Sequence, residues 1–227
     1  MTKKSLGVVR DRIKRRAHQA RLELSDELVE RLCTYVELLR RWNERMNLTA
    51  LDDLERGLDR LIVEPLMAVE RLPTQRGRLV DIGSGGGSPA IPMKLAAPGV
   101  DLLMVEAKAR KAAFLREVCR QLELDGTVVE TCRYESLLTR TDLHEAHDVL
   151  TLRAVRVDGP LLLGLQAFVK PGGQLFLFRG GGASDLPDEI RPPLVWRATH
   201  PLVSTLRSRL VVLEKWRAGA LAKKKRN

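Results

Sequence analysis

A mostly parallel α/β sheet with one antiparallel strand, preceded by an N-terminal helical extension, is the architecture that these 227 residues predict. Three observations carry it. From Arg78 onward, short apolar runs alternate with segments of helical spacing, the pattern of βαβ units. The first of these runs opens directly into Gly83, Gly85, Gly86 and Gly87, a strand-to-helix loop. Ahead of it, apolar residues recur at the spacing of a helix with one buried face.

The elements follow in order. Ser25 has the chemistry of an N-cap, with Asp26 and Glu27 in the first turn. Leu28, Leu32, Tyr35, Val36, Leu39 and Trp42 then form one helical face, with Trp42 read as core. Asp52 or Asp53 caps a second helix running to about Leu72, which Pro65 is expected to kink or divide. Pro73 and Gly77 mark a boundary. Strands are expected over 78–82, 102–105, 127–131, 149–152 and 174–178. Helices are expected over 88–97, along the face Ala112 to Leu122, over 135–140 and over 160–169. Lys170-Pro171-Gly172-Gly173 reads as a sharp turn before the fifth strand. Two last strands, near 194–199 and 208–215, have no clear helix between them, so a hairpin should close the sheet. The organisation expected is a basic arm and helical extension (1–77), a main α/β domain (78–217) and a basic tail (218–227).

Composition narrows the class. Hydrophobic residues make up 44%, enough for a sizeable core. There is no long apolar run for a membrane span and no apolar stretch of a secretory leader, which points to the cytoplasm. Cys33, Cys119 and Cys132 are isolated, as expected of core thiols in a reducing compartment. His144 and His147 lack companion ligands and read as surface or loop residues, with no metal site expected. The net charge of +10 resides at the two ends. Residues 1–21 hold eight Lys and Arg against Asp11, and Lys223, Lys224, Lys225 and Arg226 close the chain. Such arms suit a polyanion, because each neutralised phosphate releases counterions. The bland alternative is that they serve solubility.

The glycine loop says which cofactor fits. A dinucleotide fingerprint needs a third glycine where this chain has Ser88, and no Lys-Ser/Thr pair follows to make a phosphate loop. A pyrophosphate therefore lacks a cradle. A nucleoside with a charged methionine moiety and no phosphate, S-adenosylmethionine, fits better. Asp81 at the strand end suits its cationic amino group, and Glu106 after the second strand suits ribose hydroxyls. Asp81, Gly83, Gly85, Glu106, Glu135 and Arg153 all follow strand ends, so they should gather on one edge of the sheet. Asp81 could equally cap loop N–H groups, and Glu135 could simply open a helix.

At this point the motifs resemble a known family. WNERMNLTA, LVDIGSGGGSPAIPMKLAAPG, VEAKARKAAFL, LRAV and VKPGGQLFLFRG stand in the order seen in the glucose-inhibited division protein B family. The likeness spans roughly residues 22–215. It implies a class I, Rossmann-like methyltransferase that uses S-adenosylmethionine to methylate N7 of a guanine in 16S ribosomal RNA. It places Asp81, Gly83, Ser84, Gly85, Gly87 and Glu106 at the cofactor, with Tyr134 and Glu135 near the adenine. Arg153 falls next to the reaction site and the cofactor. Asn47 and Thr49 belong to a segment over the loop, and Arg179 to the substrate side. The chain departs from the family pattern in three stretches: Gly87-Ser88-Pro89-Ala90, where G-F-P-G is frequent; Leu61, where a histidine is usual; and Arg179, where a lysine is usual.

N7 of guanine carries an unprotonated in-plane lone pair, so the reaction needs no general base, only in-line positioning. Arg153 then suits an anchor for a phosphate or guanine O6. Its bland alternative is an ion pair with an acid such as Glu106 or Asp148. With 4% aromatic residues, recognition by shape and phosphate contact is expected over base stacking. The partner expected is 16S RNA or the small ribosomal subunit, met by a monomer. The rival readings are a methyltransferase of another RNA, a protein or a small molecule, and a non-catalytic RNA-binding module of the same fold.

Overall fold

The computed structural model describes residues 3–46, 54–154, 157–182 and 190–217. Helices α1 (Lys3–Gln19) and α2 (Asp26–Met46) come first. The Ser25 hydroxyl accepts from the Leu28 N–H at 3.2 Å, the N-cap its sequence position predicts. Val29, Leu32, Tyr35, Val36 and Leu39 are buried along one face of α2. The basic segment expected as an arm is instead a docked helix. Val9, Ile13 and Ala17 of α1 are buried, Arg10 pairs with Glu30 at 2.9 Å, and Lys14 pairs with Asp26 at 2.5 Å. The charges that read as free in sequence are the polar face of an amphipathic helix. The basic tail lies outside the described residues.

The segment around Pro65 shows how a proline is absorbed. Helix α3 (Leu54–Leu58) runs into a π-helical turn (Asp59–Val63) and then α4 (Glu64–Val69), with Pro65 in its first turn. Proline has no N–H and clashes with the carbonyl four residues back. Widening the turn before it removes the clash, and the Glu64 N–H bonds to the Asp59 carbonyl five residues back. The run is divided into three elements as the proline predicts, yet the backbone stays helical from Leu54 to Val69.

The sheet has the order β3-β2-β1-β4-β5-β7-β6. Its strands are β1 (Gly77–Ile82), β2 (Val100–Val105), β3 (Thr127–Glu130), β4 (His147–Arg153), β5 (Val169–Arg179), β6 (Leu194–Pro201) and β7 (Arg209–Lys215). β1 to β5 pair in parallel, and β7 runs antiparallel to both β5 and β6. One strand is thus reversed, as expected from the missing last helix. Lys170-Pro171-Gly172-Gly173 does not precede β5. It is an irregularity inside it, where the register passes from His147↔Val169 to Val149↔Gln174.

Helices α5 (Ala90–Ala96) and α6 (Ala109–Gln121) pack with α1, α2 and α4 on one face. Helices α7 (Tyr134–Leu137) and α8 (Gly159–Leu165) cover the other. α5 begins two residues later than its sequence pattern predicts. His147, expected at the surface or in a loop, is buried at the start of β4, its Nδ1 3.0 Å from the Phe168 carbonyl. Burial lowers its pKa to about 4. Cys33 is buried and the other two thiols are partly buried. Among the described residues no helix is long and apolar enough to cross a membrane.

Two features position the site. The chain runs from β1 outward through β2 to β3, then returns to β4 on the other side of β1. This reversal opens a crevice beyond the carboxyl ends of β1 and β4. Alternation along the strands then sorts side chains. Leu79 of β1, Val149 of β4 and Phe176 of β5 point into the cluster that contains α2, while Val80, Leu150 and Leu175 point into the other. By the same parity Asp81, Thr151, Arg153 and Phe178 face the N-terminal extension.

Candidate active site

Beyond β1 the chain turns through Gly83, Gly85 and Gly87, with φ of 73°, 53° and 87°. These values lie in the left-handed region that glycine enters without a Cβ penalty. The glycines are not equivalent. A Cβ on Gly85 would meet only the Gly83 carbonyl oxygen, at 3.7 Å, so the loop is open there to a close neighbour. A Cβ on Gly87 would lie 2.3 Å from Ile91 Cδ1 and 3.2 Å from Leu115 Cδ2. Gly87 lets the loop lie against α5 and α6, which is the packing role a fingerprint glycine at position 88 would have filled.

Asp81 is buried at the end of β1, and its Oδ1 accepts from the Thr151 hydroxyl at 2.5 Å, across the switch point. Its Oδ2 is buried and has no hydrogen-bond partner. Burial raises its pKa, opposed by the hydrogen bond from Thr151, the nearby Ser84 hydroxyl and the charge of Arg153. A buried acceptor without a donor is costly. The ammonium group of an amino-acid ligand would satisfy it, so the residues present fit the methionine end of S-adenosylmethionine.

Glu106 stands just past β2, and its two carboxylate oxygens accept from backbone N–H groups, Gly85 at 2.9 Å and Lys108 at 2.8 Å. It thereby ties the glycine loop to the end of β2. The lone pairs that remain on a carboxylate can accept from ribose hydroxyls. Ser84 donates its hydroxyl to the Asp81 carbonyl at 3.1 Å.

Arg153 ends β4 and meets neither Glu106 nor Asp148, the acids its sequence neighbourhood offered. Its Nη2 pairs with Glu64 Oε2 at 2.8 Å. Its Nη1 donates to the Arg60 carbonyl and, at 3.2 Å, to the Ser88 hydroxyl. The guanidinium carbon lies 4.5 Å from the centre of the Phe178 ring, a cation–π contact. Burial lowers the arginine's pKa against the pull of Glu64 and Asp81, and burial likewise raises that of Glu64. Asp148 instead binds Lys170 at 2.8 Å and the Arg78 N–H, also at 2.8 Å.

The other expected positions divide. Tyr134 and Glu135 open α7 on the same edge. The Tyr134 ring packs toward Gly164, and Glu135 is exposed. Arg179 closes β5 opposite Arg209 of β7. Asn47 and Thr49 lie outside the described residues. Residues the sequence did not single out for the site are Tyr35, Glu64, Thr151 and Phe178. The Tyr35 hydroxyl donates to the Gly86 carbonyl at 2.6 Å. Glu64 had a signal: a lone acid inside the apolar run Leu61-Ile62-Val63-Glu64-Pro65-Leu66 needs a buried partner. Among the described residues no group of three His, Cys, Asp or Glu is placed to hold a metal.

A seven-stranded sheet of this order, a glycine loop after β1, a buried acid at its end and a second acid after β2 define a class I methyltransferase that uses S-adenosylmethionine. Solved structures share the fold. A protein described as an O-methyltransferase, from Klebsiella pneumoniae, superposes with a TM-score of 0.61 at 19% identity, over 87% of this chain and 93% of that one. One described as a methyltransferase, from Escherichia coli, gives a TM-score of 0.52 at 12% identity, over 68% and 86%. The particular family comes from sequence: residues 28–190 match the GidB model, rRNA small subunit methyltransferase G, and the chain belongs to that family. The ribosomal RNA small subunit methyltransferase G of Xylella fastidiosa strain 9a5c is 37% identical over 182 residues, 80% of this chain and 82% of its own. That of Syntrophotalea carbinolica is 35% identical over 161 residues, 70% and 72%. The chain is an enzyme that methylates small-subunit ribosomal RNA, with S-adenosylmethionine as donor.

Proposed function

We propose that this enzyme transfers the methyl group to N7 of a guanine in 16S RNA, by in-line attack and without a general base. When bound, S-adenosylmethionine supplies an electrophilic methyl group on a sulfonium. Asp81 holds the ammonium end through Oδ2, Glu106 the ribose hydroxyls, and Gly83, Ser84 and Gly85 bring backbone close. Tyr134 and Glu135 border the adenine side.

The observation that carries the base-free reading is how the acids at this edge are engaged. Asp81 Oδ1 is bonded to Thr151 and its Oδ2 is given to the ammonium end of the donor, while both oxygens of Glu106 accept from backbone N–H groups. His144 and His147 sit at the opposite edge, before and at the start of β4. An acceptor nitrogen with a free lone pair asks for no proton removal, so positioning suffices. Arg153 acts as a preset cation. Of its five N–H groups, those bonded to Glu64, Arg60 and Ser88 fix its plane, the Nε N–H is buried without a partner, and the remaining Nη2 N–H serves a phosphate or guanine O6. Exposed Lys108, Arg110 and Arg133 follow β2 and β3 on the same edge and suit phosphate contacts. Arg179 and the segment of Asn47 and Thr49 complete the substrate side. The enzyme works as a cytoplasmic monomer on 16S RNA or the assembled small subunit.

The test is transfer of tritiated methyl from S-adenosylmethionine to 16S RNA and to small subunits lacking N7 methylation, with nucleoside analysis. Label in 7-methylguanosine is expected. Label in another nucleoside, or none with the donor bound, overturns the acceptor assignment.

A further inference from the structure

Four positions from three separate stretches of the chain meet around one side chain. Arg60 and Glu64 come from the π-turn and α4, Ser88 from the glycine loop, and Phe178 from the end of β5, all against Arg153. The backbone explains why a carbonyl is available. The Glu64 N–H, which would close an ordinary turn onto Arg60, is given to Asp59 instead. The next donor along, at Pro65, does not exist because proline has no N–H. The Arg60 carbonyl is therefore left to accept from Arg153. The Leu61 carbonyl, which Pro65 would have served in a regular helix, accepts from the Ser88 hydroxyl at 3.0 Å. Ser88 and Leu61, two of the positions where this chain departs from its family's pattern, thus bond to one another beneath Arg153.

Glu64 is the charge that makes the arrangement tenable. Its side chain is 6% exposed and that of Arg153 17% exposed. A guanidinium in such a place needs a partner, since removing one member of a buried pair leaves an uncompensated charge. With Glu64 in place, the planar fork of Arg153 is fixed by hydrogen bonds on both Nη atoms and by the Phe178 ring beneath it. We infer that Glu64 is a positioning residue for the methyl transfer: through Arg153 it fixes the end of β4 and Ser88 on the acceptor side of the crevice. It touches neither cofactor loop acid. The inference rests on the proposed acceptor reading for its kinetic part only; the clamp itself is a statement about Arg153.

The experiment compares wild type, Glu64→Gln, Glu64→Asp and Leu66→Ala. Leu66→Ala removes buried packing on the same helix and none of the hydrogen bonds, the ion pair or the ring contact on Arg153, and so calibrates what instability alone does. Calorimetric affinity for S-adenosylmethionine, kcat on unmethylated small subunits and thermal midpoint are measured below every unfolding transition. Glu64→Gln is expected to keep donor affinity within about threefold while kcat falls about 10- to 100-fold, the size of effect a small misplacement produces. Glu64→Asp, still charged, should recover part of kcat, and Leu66→Ala should lower the midpoint and leave kcat unchanged. Independently, NMR of the Arg153 Nη groups should show hindered rotation in wild type and averaging in Glu64→Gln. The inference is overturned if Glu64→Gln keeps wild-type kcat, if kcat falls only as it does in Leu66→Ala, or if donor affinity falls with it. Free rotation of Arg153 in wild type overturns the clamp itself. If wild type methylates none of these RNAs, the acceptor reading fails alone and the NMR result decides the clamp.

Discussion

The cofactor loop and the Arg153 clamp lie side by side and are built in opposite ways. The loop is nearly contiguous, Asp81 to Gly87, and its conformation follows from residue type: three glycines hold positive φ, and the strand before them delivers the acid. The clamp draws on residues 60, 64, 88, 153 and 178, and exists only because the π-turn, sheet parity and the packing of α4 against α5 bring them together. Local chemistry makes the first, and distant packing makes the second. They are joined by Ser88, which belongs to the loop and bonds to the clamp, and by Tyr35, which reaches the loop from α2.

The largest expected effect divides the loop within itself. Gly87→Val places a Cβ 2.3 Å from Ile91 Cδ1 at a φ of 87°. Overpacking together with left-handed strain should cost about 3 kcal/mol or more, read by urea unfolding. Gly85→Val meets open space at a φ of 53°. It should cost about 1–2 kcal/mol of strain and instead abolish binding of S-adenosylmethionine, since the added side chain occupies the approach to the ligand. Equal losses of stability in the two variants would refute the division.

Next comes Asp81→Asn, which should weaken donor binding about 30-fold or more, because a buried charged partner of the ammonium is lost. Its effect on stability has the opposite sign. Burial raises the folded-state pKa of Asp81, so the native state favours its protonated form and ionisation opposes folding at neutral pH. The variant should therefore melt no lower than wild type at pH 7. Donor affinity of wild type should fall as acidic pH is approached, earlier than an ordinary aspartate would dictate, and calorimetry across pH reads both. An unchanged affinity in Asp81→Asn would remove Asp81 from the cofactor site.

The smallest effect probes the join. Tyr35→Phe deletes the hydrogen bond to the Gly86 carbonyl. It should cost about 1 kcal/mol in stability and a few-fold in donor affinity. If affinity does not move while stability does, α2 supports the fold of the loop without tuning its grip on the cofactor.

Much of the site was legible in the linear sequence for the same reason that the loop is robust. Asp81, the glycines and Glu106 are placed by strand ends, and a βα pattern fixes which edge those ends share. Arg153 was legible at the end of its strand, but its partner was not. The acids nearest in pattern, Glu106 and Asp148, are occupied by backbone N–H groups and by Lys170. Glu64 arrives from a helix about ninety residues away. The packing of Gly87 against Ile91 and Leu115 was not legible, because sequence does not distinguish a glycine that admits a ligand from one that admits a helix. His147 was misplaced because polarity marked it as exposed, whereas a neutral imidazole bonded to a carbonyl can be buried.

Taken by itself, the sequence determined the alternation of strands and helices, the single reversed strand, the glycine loop with its two acids and the helical face of α2. These depend on periodicity, turn chemistry and residue type, which act over a few positions. Tertiary structure alone decided that the basic N-terminus is a docked helix, that Pro65 yields a π-turn, and that Arg153 belongs to Glu64. Each of those outcomes is a choice among partners distant in the chain, settled by which faces pack together and by the need to pair every buried charge.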